Sequence, residues 1–377
     1  MIKSLKIRLL PTKEQEELML RSIGYSRFVY NWALNKCNEM YNQNKKYSIS
    51  NIRKEFTQLK RRDEYKWLNE VSNATMVQSI RNLDKSFKEF FKTNKNYPKF
   101  KSKKRDKKSF YVRYEKLYFK DGVCNIEKIG KVKYKTNYNI PNCKYSNPYC
   151  SFDGKYWYLS FGIEFNENQI ELNKDLSIGI DLGIKELAIC SNGMIFENIN
   201  KTKEIMRLKK KLKRLQRNVS RKYRIGKGGE NRCHYEKTNN IVKLEKEIKL
   251  VYRKLHNIRL NHIHQSTNKI IKTRPYRVVM EDLNVKGMMK NKHLSKAIQE
   301  QCFYEFIRQM KYKCEFNGIE FIQADRFYPS SKTCSECGHI KDKLKLSERT
   351  YTCEECGCVI DRDFNASINL SRYKLAI

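Results

Sequence analysis

Two cysteine pairs, Cys334-x-x-Cys337 and Cys353-x-x-Cys356, stand fifteen residues apart. No other local feature of the chain constrains its fold so tightly. Two tight turns of this spacing place four thiolates tetrahedrally around one zinc ion (Zn2+). Gly338 and Gly357 follow the pairs, where such a turn needs positive φ and free backbone N–H groups. A site closed by four thiolates keeps no open coordination position, so this zinc is structural and hydrolyses nothing. Free thiols or redox chemistry form the alternative reading. A secreted disulfide framework is disfavoured, because the chain is long and its thirteen cysteines are odd in number. Cys37, Cys124, Cys143, Cys150, Cys190, Cys233, Cys302 and Cys314 lack ligand spacing and read as core or surface residues. Cys358 and His339 adjoin the pairs and are left out of the ligand set.

The charge narrows the partners. The 377 residues carry 79 Lys and Arg against 41 Asp and Glu, a net +38 at pH 7. The excess spans most of the chain rather than one tail. A compact body so charged repels itself unless a polyanion is present, which points to nucleic acid. With 40% hydrophobic residues, wholesale disorder is excluded. The length suggests two or three domains. No run of about 18 apolar residues exists to span a membrane. Residues 1–10 lack the apolar stretch of a signal peptide. The expectation is therefore a cytoplasmic, nucleoid-associated protein, or a nuclear one in a eukaryote, with no membrane partner.

Periodicity divides the chain. Residues 1–10 alternate like a strand, and Thr12 is placed to cap a helix. Segments 13–23, 26–43 and 50–62 read as helices. Residues 73–92 are amphipathic, with Met76, Ile80, Leu83, Phe87 and Phe90 or Phe91 on one face. Short alternating segments follow through 110–165, a β module expected to form a barrel completed by strand 1–10. The helices are then an insertion after its first strand. From 176 the pattern changes to apolar strands of an α/β sheet. Residues 201–227 hold thirteen Lys and Arg against one acid, Glu204. With a second basic helix at about 236–272 they suggest an antiparallel hairpin, its stripe formed by Met206, Leu208, Leu212 and Leu215. A buried strand at 277–280, a helix at 295–317, a strand at 319–324 and a final helix from Asn365 complete the reading.

Three acids lie where strands end or a helix begins. Asp181 closes the apolar run Ile178-Gly-Ile-Asp, Glu281 follows Val278-Val279-Met280, and Asp361 and Asp363 precede Phe364-Asn365-Ala366. Singly, each has a bland reading: a turn residue, a surface acid, a helix N-cap. An acid ending a buried strand is costly without a cation, and several together repel unless divalent metals neutralise them. Jointly they read as a triad for two Mg2+ ions that activate water against a phosphodiester. That chemistry needs no Ser, Cys or His nucleophile, and the six scattered histidines suggest none; His262 and His264 read as structural, and no Walker A motif is present.

Asp181-Leu-Gly-Ile-Lys, Met280-Glu-Asp-Leu and Asp361-Arg-Asp-Phe-Asn-Ala resemble the three RuvC motifs of the TnpB family. Arg326-Phe-Tyr-Pro-Ser-Ser-Lys-Thr-Cys is similar to the family's approach to its zinc ribbon, and the N-terminal PTKEQ, YSRFVYNWAL and YPKFKSKK match more loosely. TnpB proteins are transposon-encoded RNA-guided nucleases related to type V CRISPR effectors. The resemblance implies an α+β multidomain fold. A wedge β-barrel would occupy 1–12 and 95–170, with a helical recognition domain at 13–94. An RNase H-like (RuvC) α/β domain would occupy 171–328 and 360–377, with the zinc ribbon inserted at 329–359. It implies metal binding and catalysis by Asp181, Glu281 and Asp363, with Asp361 supporting the helix start. The implied partners are a guide (omega) RNA and a double-stranded DNA target; monomer and dimer stay open. Gln78 would contact a target-adjacent motif. Lys101, Lys103, Lys104 and Arg105, with Lys210, Lys211, Arg214 and Arg221, would follow phosphates. The implied activity is Mg2+-dependent cleavage of guide-matched DNA. The rivals are an RNA-guided regulator that binds without cutting and a transposase accessory protein.

Overall fold

The alternation at the N-terminus becomes strand β1 (Ile2–Leu10), which buries Ile7 and Leu9 and turns Ile2, Ser4 and Lys6 outward. The computed structural model describes residues 1–93, 96–164, 171–225, 237–345 and 348–374. Parts of the expected domains at 94–95, 165–170, 346–347 and 375–377, the basic stretch at 226–227, position 236 and Cys233 lie outside the described residues. The chain divides into two compact units, Met1–Phe165 and Asn166–Ile377.

In the first unit Thr12 caps helix α1 (Lys13–Asn42). It accepts from the Gln15 backbone N–H at 3.3 Å, and the Gln15 side chain accepts from Thr12 N–H at 3.1 Å. The two helices expected at 13–23 and 26–43 are one. Gly24 meets nothing within 4 Å of a built Cβ, and one interior glycine costs only about 1 kcal/mol, which the packed face of a long helix outweighs. Helices α2 (Ile49–Leu59) and α3 (Asn73–Thr93) pack on it around Leu34, Phe56, Leu68, Met76 and Leu83. Six strands follow: β2 (Ser109–Tyr111), β3 (Tyr118–Lys120), β4 (Val123–Ile126), β5 (Gly130–Lys135), β6 (Ser146–Phe152) and β7 (Trp157–Glu164). They join β1 in an antiparallel sheet of order β2-β6-β7-β1-β5-β4-β3. Phe119 of β3 lies 5.1 Å, centroid to centroid, from Phe161 of β7. Four strand steps separate these residues, roughly 19 Å across a flat sheet, so the sheet must curl back on itself. Its edges β2 and β3 are not paired, and the expected barrel is a curled open sheet among the described residues.

The second unit holds β8 (Asn173–Leu182), β9 (Glu186–Cys190), β10 (Ile195–Glu197), α4 (Lys203–Ile225), α5 (Asn239–Lys272), β11 (Pro275–Glu281), α6 (Val285–Met288), α7 (Ser295–Gln301), α8 (Phe303–Phe316), β12 (Glu320–Ala324), β13 (Thr350–Thr352), β14 (Val359–Asp361) and α9 (Arg362–Ser371). The sheet order is β10-β9-β8-β11-β12, with β8, β11 and β12 mutually parallel. Ile178, Ile180, Val278 and Met280 pack beneath α5 and α8, while Val279 and Ile322 meet Leu370 of α9. Burial on both faces explains why these strands read as continuous apolar runs. Helices α4 and α5 are antiparallel, joined by Tyr223–Glu245, Gln216–Tyr252 and Glu204–Lys254 contacts of 2.7, 2.7 and 2.9 Å. Ile205, not Met206, begins the buried stripe; Met206 is exposed. The helix expected at 295–317 breaks at Cys302, whose φ of 56° and ψ of 41° end one helix and start the next.

Candidate active site and zinc site

Asp181 stands at the C-terminal end of β8, opposite Ile189 of β9. On the other side Ile180 pairs in parallel with Met280, which sets Asp181 and Glu281 one step further along adjacent strands. The C-terminal edge of parallel strands is where open α/β sheets receive ligands. Burial first, then the charges of Glu281 and Asp363, hold the Asp181 carboxyl well above the usual carboxylate range. Arg362 opposes that shift and Asp361 adds to it. The acids thus share one electrostatic field, which Arg362 relieves in part and a divalent cation could relieve further. Glu281 accepts a short hydrogen bond from the Ser330 hydroxyl, which fixes one of its oxygens.

Asp363 comes from α9. Asp361, rather than Asp363, is the N-cap: its Oδ1 accepts from the backbone N–H groups of Asp363 and Phe364, each at 3.0 Å. That arrangement leaves the Asp363 carboxylate free of capping. It accepts instead from Arg362 at 3.0 and 2.8 Å and from Arg349 at 3.4 Å. Helix α9 reaches the acids because it lies directly on β8. A Cβ at Gly179 would stand 2.0 Å from the Ser367 carbonyl oxygen and 2.3 Å from the Ser371 nitrogen. Only glycine permits this approach.

The four cysteines converge. Their sulfurs lie within 4.8 Å of one another, with Cys334–Cys356 at 3.6 Å and Cys337–Cys353 at 3.5 Å. A tetrahedral zinc with Zn–S bonds of about 2.3 Å requires sulfur separations of about 3.8 Å, so the donor set fits that ion. Gly338 and Gly357 adopt φ of 80° and 69°, as the turns demand. Among the described residues this is the one group of potential ligands drawn so close. The three carboxylates are looser, with Asp363 held by its arginines. Helix α9 also holds the first cysteine turn. Asn365, fully buried, accepts from Ser335 N–H at 2.9 Å and donates to the Thr333 carbonyl at 2.7 Å. Asn369 donates to the Ser330 and Thr333 carbonyls at 2.8 and 2.6 Å.

The expected nucleic-acid residues fall in two places. Gln78 is half-buried on α3 and donates to Asn82 at 3.1 Å; Asn82 donates to the Tyr149 hydroxyl at 3.4 Å. Asn82 and Tyr149 line a cavity of about 210 Å3 with Arg27, Lys103 and Lys107 on its wall. Lys103, Lys104 and Arg105 are exposed. Lys101 departs from the expectation of a free phosphate ligand. Its ammonium lies 3.9 Å from the Tyr30 ring centroid, and burial lowers its pKa. In the second unit Lys210, Lys211, Arg214 and Arg221 are exposed on α4, off its buried stripe. Arg349 and Asn369 had no signal in the sequence; Ser330 and Asn365 lay inside quoted motifs without an assigned role.

Family models match three stretches: "Helix-turn-helix domain" over 1–46, "Probable transposase" over 160–292 and "Cas12f1-like, TNB domain" over 303–370. A Streptomyces pristinaespiralis protein named as an RNA-guided DNA endonuclease is 30% identical over 99% of this chain and 90% of its own. The similarly named InsQ of Escherichia coli K12 is 28% identical over 98% and 91%. A Cas12f1 chain solved by cryo-EM with sgRNA and target DNA shares the fold, with a TM-score of 0.58 over 98% of both chains at 14% identity. Likeness of this extent, running through both units, places the chain in the TnpB family of transposon-associated RNA-guided DNA endonucleases.

Proposed function

We propose that the protein is an RNA-guided DNA endonuclease that hydrolyses guide-matched DNA beside a short target-adjacent motif, at Asp181, Glu281 and Asp363. The observation that carries the reading is the raised Asp181 carboxyl, pressed by Glu281 and Asp363 at the edge of a parallel sheet. Two Mg2+ ions held there would supply an activated water and stabilise the leaving oxygen. The chain's own part is placement. Ser330 orients Glu281, Asp361 takes over the capping of α9, and Arg362 and Arg349 balance Asp363. The closed thiolate site would hold one structural zinc and take no part in hydrolysis.

In this reading 1–12 and 95–170 form the wedge, 13–94 the recognition helices, 171–328 with 360–377 the RNase H-like domain, and 329–359 the zinc ribbon. The guide RNA specifies the target by pairing, and the cations of α4 and of the 103–105 loop follow backbone phosphates. Gln78, through Asn82, would stand beside the duplex motif. The test is cleavage of guide-matched plasmid in Mg2+ by the purified RNA–protein complex. Asp181→Ala and Glu281→Ala should each abolish cutting and keep RNA affinity. Cutting retained by either variant would overturn the assignment.

A further inference from the structure

Phe327 is 87% exposed, the most open large apolar side chain among the described residues. Single exposed apolar residues are ordinary, so exposure alone carries nothing. What sets this one apart is the rigidity of its support. Asp325 Oδ1 accepts from the Phe327 backbone N–H at 2.8 Å, and the Asp325 carbonyl accepts from Tyr328 N–H at 3.0 Å, closing a tight turn. Before it in the chain, Arg326 is ion-paired with Asp282. After it, the Ser330 hydroxyl is hydrogen-bonded to Glu281. The next ring, Tyr328, turns inward, meets Tyr373 edge-on at 4.8 Å and donates to the Asn369 carbonyl at 3.2 Å. The turn is thus tied to the Glu281-Asp282 strand end at two points that bracket Phe327. Three residues span at most about 11 Å, so the ring's Cα stays within that distance of Ser330, the residue that touches Glu281. A loose loop would let the ring fold back onto apolar surface; a pinned turn holds it in water.

From this placement we infer that Phe327 is a stacking platform for an unpaired nucleobase of the strand being cut, a few nucleotides from the reacting phosphate. An exposed aromatic face accepts any base, as a nuclease directed by its guide requires, and Arg326 beside it, committed to Asp282, braces the turn that presents the ring. Stacking would hold the single strand in register with the acids; Phe327 is a positioning residue and touches no reacting atom. The inference rests on the nuclease reading above.

Two readouts separate the two. The first is the cleavage rate at saturating target DNA, using the wild-type guide RNA complex, Phe327→Ala, Phe327→Leu and Phe327→Tyr. Alanine and leucine should slow cutting about tenfold or more, and tyrosine should restore it, with melting temperature and guide RNA affinity unchanged. The second is fluorescence of a single-stranded oligonucleotide containing 2-aminopurine, bound in Ca2+ without cutting. Wild type and tyrosine should quench it; alanine and leucine should not. Cutting within twofold of wild type by the alanine variant, or leucine restoring the rate as well as tyrosine, overturns the stacking role and leaves the nuclease reading standing. Aromatic-dependent quenching by a complex that cuts no guide-matched DNA when assayed in Mg2+ sustains the stacking and removes the nuclease.

Discussion

Gly179→Ala tests the packing that brings Asp363 to Asp181. The added methyl would meet backbone atoms of α9, the Ser367 carbonyl oxygen at 2.0 Å and the Ser371 nitrogen at 2.3 Å, and no rotamer moves them aside. Restoring an ordinary 3.4 Å contact needs the helix to retreat by about 1.4 Å. Overpacking of this kind costs about 1–3 kcal/mol. The larger consequence is catalytic. Asp361 and Asp363 ride on the first turn of α9, whereas Asp181 and Glu281 are fixed in the sheet, so the displacement opens the acid cluster. A misplacement of about 1 Å costs on the order of 10²-fold in rate. The expected result is a folded protein, melting a few degrees lower, that cuts guide-matched DNA about a hundredfold more slowly in saturating Mg2+. Circular dichroism and the melting curve check folding; single-turnover cleavage checks the rate. A variant that cuts within threefold of wild type would refute the idea that α9 positions the third acid.

Three further outcomes are expected. Cys353→Ser, or zinc removal by a strong chelator, should cost the protein its bound zinc and lower its melting temperature, because Asn365 and Asn369 tie the first cysteine turn to α9; zinc-to-protein stoichiometry and calorimetry check this. Lys313 is 8% exposed and donates to Thr267 Oγ1 at 2.6 Å, and burial lowers its pKa from 10.5 to about 8 against the nearby Glu305 charge, with His264 also facing it. Because the folded value lies below the unfolded one, its penalty, about 3 kcal/mol, is full below pH 8 and fades as pH rises towards 10.5; the stability-against-pH curve of Lys313→Met should lack that upward slope, and parallel curves would refute it. Changing Lys210, Lys211, Arg214 and Arg221 together to Gln should reduce the salt slope of RNA affinity by about 3, at roughly 0.7 for each phosphate no longer neutralised; an unchanged slope would mean that α4 touches no phosphate.

What the sequence shows and hides follows from the range of the interactions involved. The four thiolates were legible because a cysteine pair at C-x-x-C spacing closes its turn locally, and Gly338 and Gly357 mark the required backbone conformation. The acids stood out because each interrupts an apolar run or opens a helix, so their local cost was visible before any partner was known. Asp361 and Asp363, two residues apart, could not be ranked by cost alone; the capping hydrogen bonds to Asp363 and Phe364 N–H assign the first to α9's start and leave the second carboxylate to Arg362 and Arg349. Arg349 was invisible for the opposite reason. It approaches Asp363 only because β13 and β14 fold back on each other, pairing Thr350 with Asp361, and nothing near residue 349 announces that register. The curled sheet was half legible: alternation marked its strands, but only the Phe119–Phe161 contact shows how far it bends. Cys302 is the hardest case, since its left-handed backbone ends a helix in a sequence that favours continuing it, and the packing of Ile298 and Phe303 in one core supplies the competing energy. Local rules therefore mark the groups that do chemistry, while the residues that orient those groups emerge only from the pairing of distant segments.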